Sequence, residues 1–266
     1  MTEVLWGNLR APALRALAAR GALAIVPVGS IEQHGPHLPV QVDALLAGEI
    51  ARRAAVKVSK KQPVVVAPTI WSGLAEHHMS LGGTITLDLA TFHAVIRCVC
   101  ASILRHGFKR ILVLNGHGGN IAALTVLVGE LARELGAPIA TATYWTMPET
   151  QASFAKILKK QKTVRHACEA ETSMLLVLKP ELVDRAAARA VKAPIEGLAP
   201  EDGIYRYRPV AHWTKSGVLG VPSAASVEKG ERLLEAAALS VANAVLAGKA
   251  WRNDDLPRDR RKAKRS

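Results

Sequence analysis

Glu32, His34 and Asp43 fall on one short stretch, Gly29-Ser30-Ile31-Glu32-Gln33-His34-Gly35-Pro36-His37-Leu38-Pro39-Val40-Gln41-Val42-Asp43, which two prolines stiffen. Two carboxylates and an imidazole suit a hard or borderline divalent cation, which takes oxygen and nitrogen ligands. The stretch follows an apolar run at residues 22–28 that reads as a buried strand. Loops after buried strands are where open α/β sheets place their ligands. The competing reading makes Glu32 and His34 solvated loop residues and Asp43 a helix cap.

Further groups lie downstream. In Leu114-Asn115-Gly116-His117-Gly118-Gly119-Asn120 a hydrophobic strand ends in a glycine-rich turn and opens a helix, with Asn120 placed as its N-cap. That puts His117 at a second strand end; a phosphate loop is excluded because neither GxGxxG nor a GKS/T ending is present. In Arg165-His166-Ala167-Cys168-Glu169-Ala170-Glu171-Thr172-Ser173, Glu169 and Glu171 suit the first turn of a helix beginning near His166. A cationic His166 does not suit it, but a neutral one near a metal-bound water could shuttle protons. His77 and His78 read either as solvated or as pocket residues, and Trp145 and Trp213 either as core or as pocket walls. Cys98 and Cys100, two apart on a helix, read as packing residues.

The elements that must position these groups follow from periodicity. Strands are expected at residues 22–28, 63–67, 84–87, 110–114 and 138–142. Helices are expected at 44–56, 90–106, 121–135, from about 166 to 178, and at 227–246. Strands alternating with helices imply a largely parallel sheet covered on both faces. Residues 192–220 are polar and irregular. No repeat or linker divides the chain, so one domain is expected over residues 1–251.

The chain has 266 residues, 49% of them hydrophobic, and no apolar run approaches the roughly 18 residues that cross a bilayer. Three cysteines without a CxxC pair argue against a disulfide framework and for a reducing, cytoplasmic setting. The net charge of +13 raises nucleic acid as a partner. Seven of the basic residues, however, fall in residues 252–266, which read as a disordered basic tail, and aromatics make up only 4%. Neither a membrane nor a nucleic-acid partner is expected.

Together these segments resemble the creatininase family of metal-dependent amidohydrolases. The resemblance rests on Gly29 to Pro39 with Asp43, on His78 to Thr84, on Asn115 to Asn120 and on His166 to Ser173, in that order. It implies a three-layer α/β/α fold and a site for two divalent ions, zinc, manganese or iron. It implies Glu32, His34 and His117 as ligands, Asp43 bridging both ions, His166 as the catalytic histidine and Glu171 as an acidic residue close to the metals. The activity implied is cleavage of the C–N bond of a small non-peptide or cyclic amide by a hydroxide bridging the ions, with His166 protonating the leaving nitrogen. His78, Trp145 and Gly118 are the pocket candidates, and a homohexamer is the implied assembly. Creatininase itself resembles Asn-Gly-His-x-Glu-Asn at the second motif, where this chain has Gly119. Glu171 is then expected to complete the second ligand set, with Glu169 the other acidic residue at hand. Relatives with the Gly form act on formamides or on modified peptides. Trimming of a small modified peptide is therefore one alternative, and a non-catalytic basic binding protein is another.

Overall fold

The structure, a computed structural model, describes residues 2–195 and 204–251. The basic tail at 252–266 and part of the irregular 192–220 stretch lie outside the described residues.

β1 (Leu23–Val28) carries no polar side chain and is buried along its whole length, as a strand covered on both faces must be. It pairs in parallel with β2 (Val64–Val66) on one side and β3 (Arg110–Asn115) on the other. β3 in turn pairs in parallel with β4 (Ile139–Thr143), giving the order β2-β1-β3-β4. Alternation along the strands divides the core. Leu23, Ile25, Leu112 and Leu114 face α2 (Val42–Val58), α5 (Pro148–Ile157), α6 (Glu169–Leu178) and α8 (Val227–Ala247). Ala24, Val26, Ile111 and Val113 face α1 (Ala11–Ala19), α3 (Leu89–Arg105) and α4 (Ile121–Leu135). The expected three layers are thus present. Among the described residues no helix is long and apolar enough to cross a membrane.

The chain passes from β1 to β2 on one side and returns to β3 on the other. The crevice beyond the carboxyl ends of β1 and β3 is therefore the switch point at which open sheets bind ligands. The first turn of α2 is drawn into this crevice by two glycines. A Cβ at Gly29 would meet the Asp43 carbonyl carbon at 2.8 Å, and one at Gly116 would meet the Asp43 oxygen at 2.7 Å. With hydrogen at both positions, α2 seats Asp43 between the two strand ends.

Three expectations are corrected. Residues 84–87 form no strand; Ile85 makes one isolated antiparallel bridge to Ile31. Thr84 and Thr86 instead accept the Gln33 and Ala75 amides through their hydroxyls, so the segment staples loops together. The helix expected from His166 starts at Glu169, because His166 exchanges two backbone hydrogen bonds with Leu219. α1 and α5, absent from the periodicity reading, both open with a proline in the first turn.

Candidate metal centre

Asp43 lies between two imidazoles. Its Oδ2 is 2.9 Å from His117 Nδ1 and its Oδ1 is 3.4 Å from His34 Nε2. His117 Nδ1 is also 2.8 Å from Glu32 Oε2, and His34 Nε2 is 3.9 Å from Glu171 Oε1. Two groups of three result, Glu32–Asp43–His117 and His34–Asp43–Glu171, sharing Asp43; in each, the ligand atoms lie within 4.8 Å of one another. All five residues are at most 4% exposed.

The hydrogen bonds behind these atoms fix what the atoms offer. His117 Nε2 lies 3.0 Å from the Leu74 carbonyl, which can only accept, so the ring hydrogen sits there and Nδ1 presents a lone pair. His34 Nδ1 likewise donates to the Glu32 carbonyl at 3.1 Å and leaves the lone pair of Nε2 facing inward. Glu32 Oε2, His34 Nε2 and Asp43 Oδ2 are buried with no hydrogen-bond partner. Buried carboxylates and imidazole nitrogens brought this close demand positive charge between them, which a proton or a metal cation supplies. The titration directions agree. Burial opposes a charged His117, yet the facing Glu32 and Asp43 carboxylates push it up to about 10. Burial also opposes a charged His34, but Asp43 and Glu171 raise it. The residues thus fit a pair of divalent ions sharing Asp43.

Around this centre, Gln33 organises two further histidines. His166 Nε2 donates to the Gln33 carbonyl at 2.7 Å, leaving Nδ1 3.4 Å from Glu32 Oε1. The Gln33 side-chain amide donates to His78 Nδ1 at 2.9 Å, and His78 Nε2 then points its hydrogen at Glu32 Oε1, 3.3 Å away. Burial first, and neighbouring imidazoles second (His34 for His166, His166 for His78), lower both rings well below the usual histidine range, so both are neutral. His166 also forms a third group with Glu32 and His34. Between His166 and Cys168 sits Ala167 with φ 51°, the one non-glycine residue at positive φ among those described. Such a conformation costs of order 1–3 kcal/mol and persists where surrounding structure enforces it. It turns the chain from His166 into α6. There Cys168 is the N-cap, and its amide donates to Glu171 Oε2 at 3.2 Å, leaving Oε1 for the centre.

Most sequence candidates are brought together. Glu32, Asp43, His117, His166, Glu171, His78, Trp145 and Gly118 all line one cavity of about 1600 Å³, as do His77 and Trp213. His34 is buried beneath it. Glu169, the other acidic candidate, is not part of the centre: its carboxylate is bound by Lys229 and by the Lys159 and Lys160 amides. Asn120 stands at the N-cap position of α4, as expected, but its side chain makes no cap hydrogen bond there. Its side chain instead accepts from the Leu74 amide and donates to the Gly29 carbonyl and to Asn115, clamping the ends of β1 and β3. Sequence reasoning gave no role to Gln33 or Asn115. For Gln33 the signal available was a polar residue flanked on both sides by candidate ligands, Glu32 and His34.

Comparison with known proteins follows the same lines. A family model described as "Creatininase: Creatinine amidohydrolase" matches residues 7–245. The creatinine amidohydrolase of Pseudomonas putida is 28% identical over 257 residues, 91% of this chain and 94% of that protein. The mycofactocin precursor peptide peptidase of Mycobacterium ulcerans (strain Agy99) is 32% identical over 225 residues, 79% of this chain and 78% of that protein. A solved structure titled "Creatininase Mn" superposes with a TM-score of 0.81 at 26% identity, covering 92% of this chain and 98% of that one.

Proposed function

Because the chain belongs to the creatininase family, we propose that it is a metal-dependent amidohydrolase cleaving a C–N bond of a small non-peptide or cyclic amide. Glu32, Asp43 and His117 would hold one divalent ion, and His34, Asp43 and Glu171 the other, with zinc, manganese or iron as the metal. When bound, such a pair activates water and polarises the amide carbonyl. The protein's own part is carried by His166. Its Nε2 hydrogen is committed to the Gln33 carbonyl, so Nδ1 is the basic atom, beside Glu32 and at the cavity wall. A neutral imidazole there takes a proton and returns it to the leaving nitrogen. His78 fixes the Glu32 oxygen that faces His166, and the burial of the centre keeps bulk water from competing.

The observation that carries this reading is the convergence of buried carboxylate and imidazole ligand atoms on both sides of Asp43. The test is elemental analysis of the purified protein, followed by a metal-reconstituted screen of creatinine, formamides and lactams. The expected result is bound divalent metal and turnover of at least one amide. His34→Ala and His117→Ala lose metal and activity, while His166→Ala keeps its metal and loses rate by 10²-fold or more, on the order expected for a lost general acid–base. Full metal content in both ligand variants overturns the assignment, and metal loss in His166→Ala makes that residue a ligand.

A second reading, trimming of a small modified peptide, is favoured by the cavity. Its volume of about 1600 Å³ exceeds the roughly 300–1000 Å³ typical of small-molecule sites. A peptide amide in the same screen separates the two. The proposal includes a homo-oligomer, a hexamer by family, for which Trp71, Ile85 and Leu89, each more than half exposed, offer apolar surface. It also includes a cytoplasmic setting, in keeping with three unpaired cysteines.

A further inference from the structure

The cavity has two ends of opposite electrostatic demand. Glu32, Asp43 and Glu171 line it from buried positions, while Arg165 and Arg206, both exposed, and the half-buried Arg208 line it nearer solvent. Some arginines elsewhere are matched, Arg52 and Arg53 by Glu49, Arg97 by Glu134 and Arg232 by Glu228, and others such as Arg15 and Arg133 stand singly among the described residues; these three differ in lining one concavity together. None of the three cavity arginines forms an ion pair among the described residues. The acidic groups facing them do not compensate. Asp88 spends its carboxylate on the Thr91 amide at the start of α3, and Glu76, across the cavity, pairs with none of the three. Like charges gathered on one concave surface repel one another and raise the local concentration of anions. The planar fork of a guanidinium matches the two oxygens of a carboxylate or phosphate.

We infer that this outer wall is an anion-recognition subsite, and that the amide cleaved at the floor belongs to a substrate bearing a carboxylate or phosphate group. The inference rests on the amide-hydrolysis reading for the floor; the subsite itself rests on the arginines. Arg165 directly precedes His166, so the anion would be gripped from the same segment that presents the proton-transfer group. Arg206 and Arg208 line the same cavity from a separate stretch of chain. A creatinine-sized neutral amide would leave all three guanidiniums unmatched.

The test is equilibrium binding of two probes, glycerol 3-phosphate and glutarate, to metal-loaded wild-type protein, R165A and R206A/R208A, at low and high salt. The expected result is binding of at least one probe that weakens with salt and falls about tenfold or more in R206A/R208A and in R165A, with metal content unchanged. The probe that binds identifies phosphate or carboxylate. Equal affinities in all three proteins, or no binding of either probe, overturn the inference. Binding that is lost on chelation yet indifferent to the arginines also overturns it, since the anion then sits on the metal centre. The floor is judged separately by wild-type turnover of the amide panel, so its failure is not confused with failure of the subsite.

Discussion

At position 119 the backbone passes so close to the Leu74 carbonyl, the His117 ring and the His77 ring that a Cβ would overlap all three. The glycine is therefore part of how His117 is held, because the Leu74 carbonyl is the acceptor that turns Nδ1 inward. Gly119→Ala is expected to cost about 1–3 kcal/mol as overpacking and to weaken metal retention, measured by urea unfolding and elemental analysis. The departure from the creatininase pattern at this residue was visible in the sequence. That Glu171 Oε1 approaches His34 was not, because its position depends on the left-handed turn at Ala167. A second residue-scale expectation concerns His37, buried against Thr172, where burial and His34 lower it to about 4. The unfolded chain protonates near 6.5 and the folded one resists until about 4. Stability is thus lost as pH falls through that window, by at most about 3 kcal/mol from this group. Thermal melts from pH 7 to 4 should show the decline, and His37→Gln should flatten part of it.

Among elements, the join between α6 and α8 governs how Glu171 is presented. Lys229 in the first turn of α8 reaches Glu169 in the first turn of α6, and Glu169 also receives the Lys159 and Lys160 amides. The pair is buried, so removing one partner strands the other. Lys229→Ala is expected to destabilise the protein by about 3–5 kcal/mol. Glu169→Ala should cost more, since it orphans two backbone donors as well; urea midpoints of the two variants check the order. The sequence offered only the helix dipole as a reason for Glu169, because a partner sixty residues away leaves no local signature. The same limit explains residues 84–87. Their β-branched alternation was read as a strand, but their hydroxyls serve neighbouring loops. α4, by contrast, was legible to its bounds at Ile121–Leu135, because apolar spacing and the left-handed Gly136 mark both stripe and end.

For the molecule as a whole, the layer order was legible because β1 and β3 are almost purely apolar and the helices between strands are amphipathic. The centre couples to global stability through its charge. Glu32, Asp43 and Glu171 are buried close together, and a cation bound only by the folded state adds to its stability by mass action. Chelation is expected to lower the melting temperature by about 5–10 °C, equivalent to roughly 2–3 kcal/mol for a chain of this size. Restoring zinc or manganese should reverse it in a thermal-shift assay; an unchanged melt would mean the carboxylates need no counter-ion.

The ligand groups are spaced along the chain at 32, 34, 43, 117 and 171, and the lysine that anchors the first turn of α6 stands at 229. Synthesis runs from the N-terminus, and a domain folds as a unit once its elements are present. Glu32, Asp43 and His117 are all available once β3 has joined β1, with more than half the chain still to be made. His34 faces Glu171, which lies far beyond residue 117 on α6, the helix that packs against α8. The two halves of one centre thus draw on different lengths of chain, one complete within the first 117 residues and the other only at residue 171.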